Sequence, residues 1–131
     1  MRPLYKHVLI FSAYQSDKTD DTNRDSHQAL LGALKAAAVP FKEVLGSYNH
    51  IREVSVIVPI SALNLVKDAC YRFNQESYLE RFSDNTAQLV FTGNGVKYYL
   101  GEIKATTETE AIATGNFTYD TETNTYFTTQ K

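Results

Sequence analysis

The chain has 131 residues, 43% of them hydrophobic and 21% charged, and carries a formal net charge of −2. This suits a single domain over residues 1–131 with a real core, and excludes an intrinsically disordered chain. The lack of a basic surplus or of Lys/Arg runs argues against a nucleic-acid partner, and the one cysteine, Cys70, permits neither an intramolecular disulfide nor a cysteine-built metal site.

MRPLYKHVLIF at the N-terminus has too short an apolar run for a signal peptide, and no stretch is long enough to span a bilayer. The expectation is a cytoplasmic protein with no membrane partner. His7–Tyr14, HVLIFSAY, is nearly continuously apolar, the pattern of a strand buried on both faces. A polar loop follows, and Asp20, Asp21 and Thr22 offer helix caps. The spacing of Leu30, Leu31, Leu34 and Ala38 predicts a helix over Asn23–Val39, which Pro40 stops.

Phe41–Tyr48 alternates apolar and polar positions, as a half-buried strand does, and Glu53–Ile60 reads as the next strand. A second helix runs over Ala62–Asn74, capped by Ser61, with Leu63, Val66, Ala69, Cys70 and Phe73 as its apolar stripe. Cys70 therefore reads as a small core residue rather than a nucleophile. ESYLERFS is a further strand, and TAQLVFTGNGVKYYLGEI is a hairpin turning at Gly93–Gly95. Beyond Ile103 the chain becomes Thr-rich, and Asn116–Asp120 with Thr125–Thr129 read as the arms of a second, more exposed hairpin.

The order β, α, β, β, α, β followed by extra C-terminal strands is that of an α+β, ferredoxin-like sandwich: an antiparallel sheet with two helices on one face. Such a sheet leaves its other face uncovered. A second chain is the usual cover, so a homo-oligomer is expected.

Few side chains offer chemistry. His7, His27 and His50 lack metal-ligand spacing with one another or with other donors, so no metal is expected. Ser12 and Ser16 lack a nucleophile elbow, and GNG at Gly93–Gly95 is not followed by the lysine and helix of a phosphate loop. Tyr98 and Tyr99 are adjacent and point to opposite sheet faces. What remains is the turn between the two central strands, bracketed by Tyr48 and Glu53, which the loop Ser12–Asp17 can approach from a neighbouring rim. The plainer reading leaves Tyr48 as an ordinary strand tyrosine and Glu53 as one half of a solvated pair with Arg52.

SAYQSDKTDDTNRDSHQALLGAL, GSYNHIRE, ALNLVKDAC and NTAQLVFTGNG, in that order over roughly Phe11–Gly95, together resemble the phage-encoded S-adenosylmethionine (SAM) lyases, formerly called SAM hydrolases. The resemblance implies a ferredoxin-like trimer with sites between subunits. It implies cleavage of SAM to 5′-methylthioadenosine and homoserine lactone without a cofactor, in the host cytoplasm, where loss of SAM counters SAM-dependent restriction. The family's important tyrosine and glutamate fall on Tyr48 and Glu53. Ser12, Tyr14 and Ser16, in the SA-aromatic-x-S motif, are expected to line the substrate pocket. A further family acid past the second helix falls on Glu80 or Asp84. Two alternatives stay open: direct hydrolysis giving homoserine, and a non-catalytic trimeric module that binds a nucleotide or a protein partner.

Overall fold

The structure is a computed structural model that describes residues 7–15, 17–48 and 51–130. The strands are β1 (Val8–Phe11), β2 (Lys42–Tyr48), β3 (Ile51–Pro59), β4 (Ser77–Arg81), β5 (Thr86–Phe91), β6 (Lys97–Thr106), β7 (Phe117–Asp120) and β8 (Thr125–Gln130). The helices are α1 (Asp20–Ala36), α2 (Leu63–Arg72) and α3 (Glu108–Thr114).

Local chemistry sets the helix ends. The Thr19 side chain caps α1 by accepting from the Thr22 backbone N–H at 3.2 Å, so the helix starts three residues before Asn23, with Asp20 and Asp21 in its first turn. It stops short of Val39 because Ala38 turns to φ 57°. A short 3-10 turn, Ile60–Ala62, leads into α2, and no side chain caps it; the cap expected at Ser61 does not form. The Thr-rich stretch hides α3, which Thr107 caps and Gly115 ends at φ 74°, a conformation that favours glycine.

The open ferredoxin-like sandwich expected from the sequence is overturned. Strands β4, β1, β3 and β2 lie side by side, but the sheet runs on through β5, β6, β8 and β7 until β7 pairs with β2, closing an eight-stranded antiparallel barrel. Two unpaired edges and an apolar face are thereby removed together. Along one belt of register partners, Lys42 faces Ile57, Ile57 faces Ile10, Ile10 faces Leu79, Leu79 faces Leu89 and Leu89 faces Tyr98. All six line an interior cavity of about 690 Å³. The face that was to be covered by a second chain is turned inward instead, and that argument for an oligomer falls with it.

The well-packed core lies on the other face of the sheet, between strands and helices. Leu9, Val56, Val58, Leu30, Leu34, Val66 and Cys70 are all 0% exposed there. Each large aliphatic side chain buried in this way contributes about 1.5–3 kcal/mol. Across the closing seam, Lys42 Nζ donates to Asp120 Oδ2 at 2.6 Å, with both side chains nearly buried. No helix among the described residues is long and apolar enough to cross a membrane.

Candidate functional site

Glu53 stands near the start of β3, directly opposite Gly46 on β2. A Cβ at Gly46 would crowd Ser55 Oγ at 3.1 Å while meeting Glu53 Cγ at an ordinary 3.8 Å, so glycine here makes room for Ser55. Glu53 lines a pocket of about 170 Å³ with Tyr14, Arg52, Phe117, Tyr119 and Tyr126. Its carboxyl makes no hydrogen bond or ion pair among the described residues. Burial alone raises its pKa from 4.5 to about 7. Arg52, its sequence neighbour, does not pair with it and lies over the Phe117 ring at 5.9 Å.

Aromatic residues of β7 and β8 build another wall of this pocket. Val54 faces Leu45, Leu45 faces Tyr119 and Tyr119 faces Tyr126, a continuous line across four strands. The Tyr119 and Tyr126 rings lie 4.4 Å apart, and Phe117 meets Tyr126 edge-on at 5.5 Å. Tyr126 donates to Glu108 Oε2 on α3 at 3.0 Å, and Tyr119 donates to Asn124 Oδ1.

The segment after β1 supplies the remaining side. Ser12 is buried; its Oγ donates to the Val54 carbonyl at 2.6 Å and accepts from the Tyr14 N–H at 3.0 Å, so this hydroxyl ties the segment to β3. Asn23 on α1 clasps Gln15 from both sides, accepting from its N–H at 2.8 Å and donating to its carbonyl at 2.9 Å. Gln75 donates to the Tyr14 carbonyl at 2.5 Å, and Gln15 donates to the Phe73 carbonyl. Tyr14 packs edge-on against the buried His27, whose Nε2 lies 2.7 Å from Glu43 Oε1.

The structure thus brings Glu53 and Tyr14 to one pocket and places Ser12 behind it. The Tyr48 backbone pairs with Ile51 at the end of β2, while its side chain, and Ser16 as a whole, lie outside the described residues. Glu80 and Asp84 are elsewhere in the chain. Glu80 contacts His7 Nε2 at 2.6 Å and accepts from Gln88 at 2.9 Å. It faces Leu9, which faces Val58, five residues beyond Glu53. That is about 17 Å along the strand. Asp84 is an exposed turn residue accepting from the Thr86 N–H at 3.0 Å and its hydroxyl at 2.6 Å. Phe117, Tyr119 and Tyr126 escaped the sequence reading. Aromatics at 117 and 119 share a strand face, but nothing in the sequence says which strand that face lies beside. Among the described residues, no three His, Cys, Asp or Glu side chains gather as a metal site.

A family model described as the S-Adenosylmethionine lyase family matches residues 9–130. The chain belongs to that family. The resemblance carried by SAYQSD, GSYNHIRE and ALNLVKDAC is confirmed, and the chain is an S-adenosylmethionine lyase whose substrate is SAM. No match is found among curated proteins.

Proposed function

We propose that this lyase converts SAM to 5′-methylthioadenosine and homoserine lactone by attack of the substrate's own carboxylate on its γ-carbon. A C–O bond forms as the C–S bond breaks. The sulfur keeps the bonding pair and leaves as a neutral thioether, and no proton moves. Nucleophile and electrophile belong to one molecule, so the protein has only to hold a folded conformer. Well-oriented intramolecular reactions gain about 7–11 kcal/mol over their bimolecular counterparts. Carboxylate and sulfonium charges vanish together, which a drier pocket favours.

The observation that carries this reading is the Glu53 carboxyl, half-buried and without a hydrogen-bond or ionic partner among the described residues. Its role is to hold the substrate's ammonium or ribose hydroxyls with charge-assisted hydrogen bonds worth about 1.5–3 kcal/mol. Tyr48 brings its ring to the sulfonium, a contact of about 0.5–2 kcal/mol. Tyr14, with the Ser12–Asp17 segment that includes Ser16, lines the pocket.

A pocket of about 170 Å³ is small against the ~300–1,000 Å³ usual for ligand sites. That shortfall supports completion of the site by a neighbouring copy in a trimer. Within one chain Glu80 and Asp84 do not reach Glu53, so a role for either requires delivery from such a copy. In the host cytoplasm the consequence is depletion of SAM and protection from SAM-dependent restriction.

Product analysis tests the chemistry. Chromatography of a SAM incubation is expected to show methylthioadenosine with lactone appearing before any homoserine. Homoserine formed from the first turnover, with no lactone preceding it, would replace this mechanism by direct hydrolysis.

A further inference from the structure

The C-terminal hairpin β7–β8 closes the barrel, yet it also presents three aromatic rings to the pocket that holds Glu53. These rings are locked in place. The Tyr126 hydroxyl is bound by Glu108, the Tyr119 hydroxyl by Asn124, and the two rings contact each other and Phe117. A rigid aromatic surface of this kind suits a flat ligand, because little ordering is left to be done when the ligand arrives.

Charge decides which part of the substrate it receives. Arg52 lines the same pocket and sits 5.9 Å from the Phe117 ring centre. A sulfonium or ammonium placed on these rings would meet the guanidinium and be repelled. A neutral purine suits both neighbours, since guanidinium planes and aromatic rings each stack on bases. The cationic end of the substrate is thereby left to Glu53. The pocket, at about 170 Å³, accommodates one ring system rather than the whole molecule.

We infer that the β7–β8 hairpin is the purine-recognition wall of the lyase, with Phe117, Tyr119 and Tyr126 stacking on the adenine of SAM and Arg52 directing the charged end away from them. This rests on the lyase reading above and adds the element that selects an adenosyl sulfonium over other sulfonium compounds.

The probe is 5′-methylthioadenosine, which carries the purine but no cation, titrated calorimetrically into wild-type protein, Tyr126→Leu, Tyr126→Phe and Phe117→Leu. SAM turnover of the wild type is measured alongside. Tyr126→Leu is expected to weaken binding roughly tenfold or more, the loss usual for one base-stacking ring, while Tyr126→Phe stays within about threefold of wild type. Phe117→Leu, on the adjoining strand, is expected to weaken binding as well and keeps the test decisive should Tyr126→Leu fail to fold. Unchanged affinity in folded leucine variants overturns the purine wall, as does an equal loss in Tyr126→Phe. In either case normal SAM turnover by the wild type leaves the lyase reading standing. Absence of SAM turnover by the wild type strikes that reading instead.

Discussion

At the residue scale, Glu53 combines burial with the lack of a compensating cation among the described residues. In the unliganded protein its carboxyl titrates near pH 7, and a bound cationic substrate favours the ionised form. The pH profile of kcat/KM is therefore expected to rise about tenfold per unit below pH ~7 and to level off above it. Glu53→Gln, which cannot ionise, is expected to lower kcat/KM roughly 10- to 100-fold and to remove that rise. The same group affects stability in the opposite sense. Its folded pKa lies above the ordinary 4.5, so the protonated form is the one the fold favours. The stabilisation is full below about pH 4.5 and is lost as pH rises through about 7, a difference on the order of 3 kcal/mol. Thermal unfolding of the ligand-free protein at pH 5.5 and pH 8 checks this, with Glu53→Gln expected to flatten the difference. Cys70 is the contrasting case. Burial pushes its thiol up to about 12, and it sits 0% exposed in the core. Cys70→Ser is expected to lower the unfolding temperature while leaving the turnover of folded protein intact.

At the element scale, the segment between β1 and α1 is held by side chains rather than by regular structure. Asn23 is the centre of that arrangement, with two hydrogen bonds to Gln15. Asn23→Ala leaves both Gln15 backbone groups without this partner, at a cost of about 1–3 kcal/mol. It is expected to raise KM more than it lowers kcat, because Tyr14 loses its anchorage; steady-state kinetics with a melting curve checks both parts. The apolar stripes of α1 and α2 were legible in the sequence because hydrophobic spacing reports burial directly. Asn23 and His27 continue the α1 stripe toward its N-terminus, where Leu30, Leu31 and Leu34 give way to polar side chains that are also buried. Polarity masked their inward position. The short α3 was lost for a related reason. Thr and Glu around it weaken any helical pattern, and only the cap at Thr107 and the stop at Gly115 mark it.

At the scale of the whole molecule, the first four strands and their helices were readable because each element is set by its own pattern. Closure was not, since it depends on pairing between segments some seventy residues apart, as where Ser47 meets Phe117. Local periodicity carries no information about such partners. Lys42 fastens this seam, paired with Asp120 at 2.6 Å and with Glu122 at 3.8 Å. Burial acts to raise the pKa of Asp120, but the hydrogen bond and charge of Lys42, with the backbone N–H groups of Thr123 and Glu122, hold it below the usual carboxylate value. The pair's stabilisation is thus present above the unfolded value near pH 4 and is lost as pH falls through the lower folded value. Asp120→Asn removes the nearer of the two carboxylates beside Lys42 and leaves Glu122 Oε1 at 3.8 Å; it is expected to cost about 1–3 kcal/mol, read by urea unfolding at pH 7. Assembly belongs to this scale too. If neighbouring copies complete the pocket, specific activity falls as the protein is diluted through its dissociation range, and dilution-independent activity of a monomer would refute shared sites.

The late position of the closing hairpin has a consequence for synthesis. A chain emerging from the ribosome exposes Glu53 and Tyr14 long before residues 117–130 arrive. Until then the carboxylate faces open water and the aromatic side of the pocket does not exist. A translation product stopped at Gly115 would keep all three helices and six of the eight strands, yet it would lack the hairpin inferred to receive the purine.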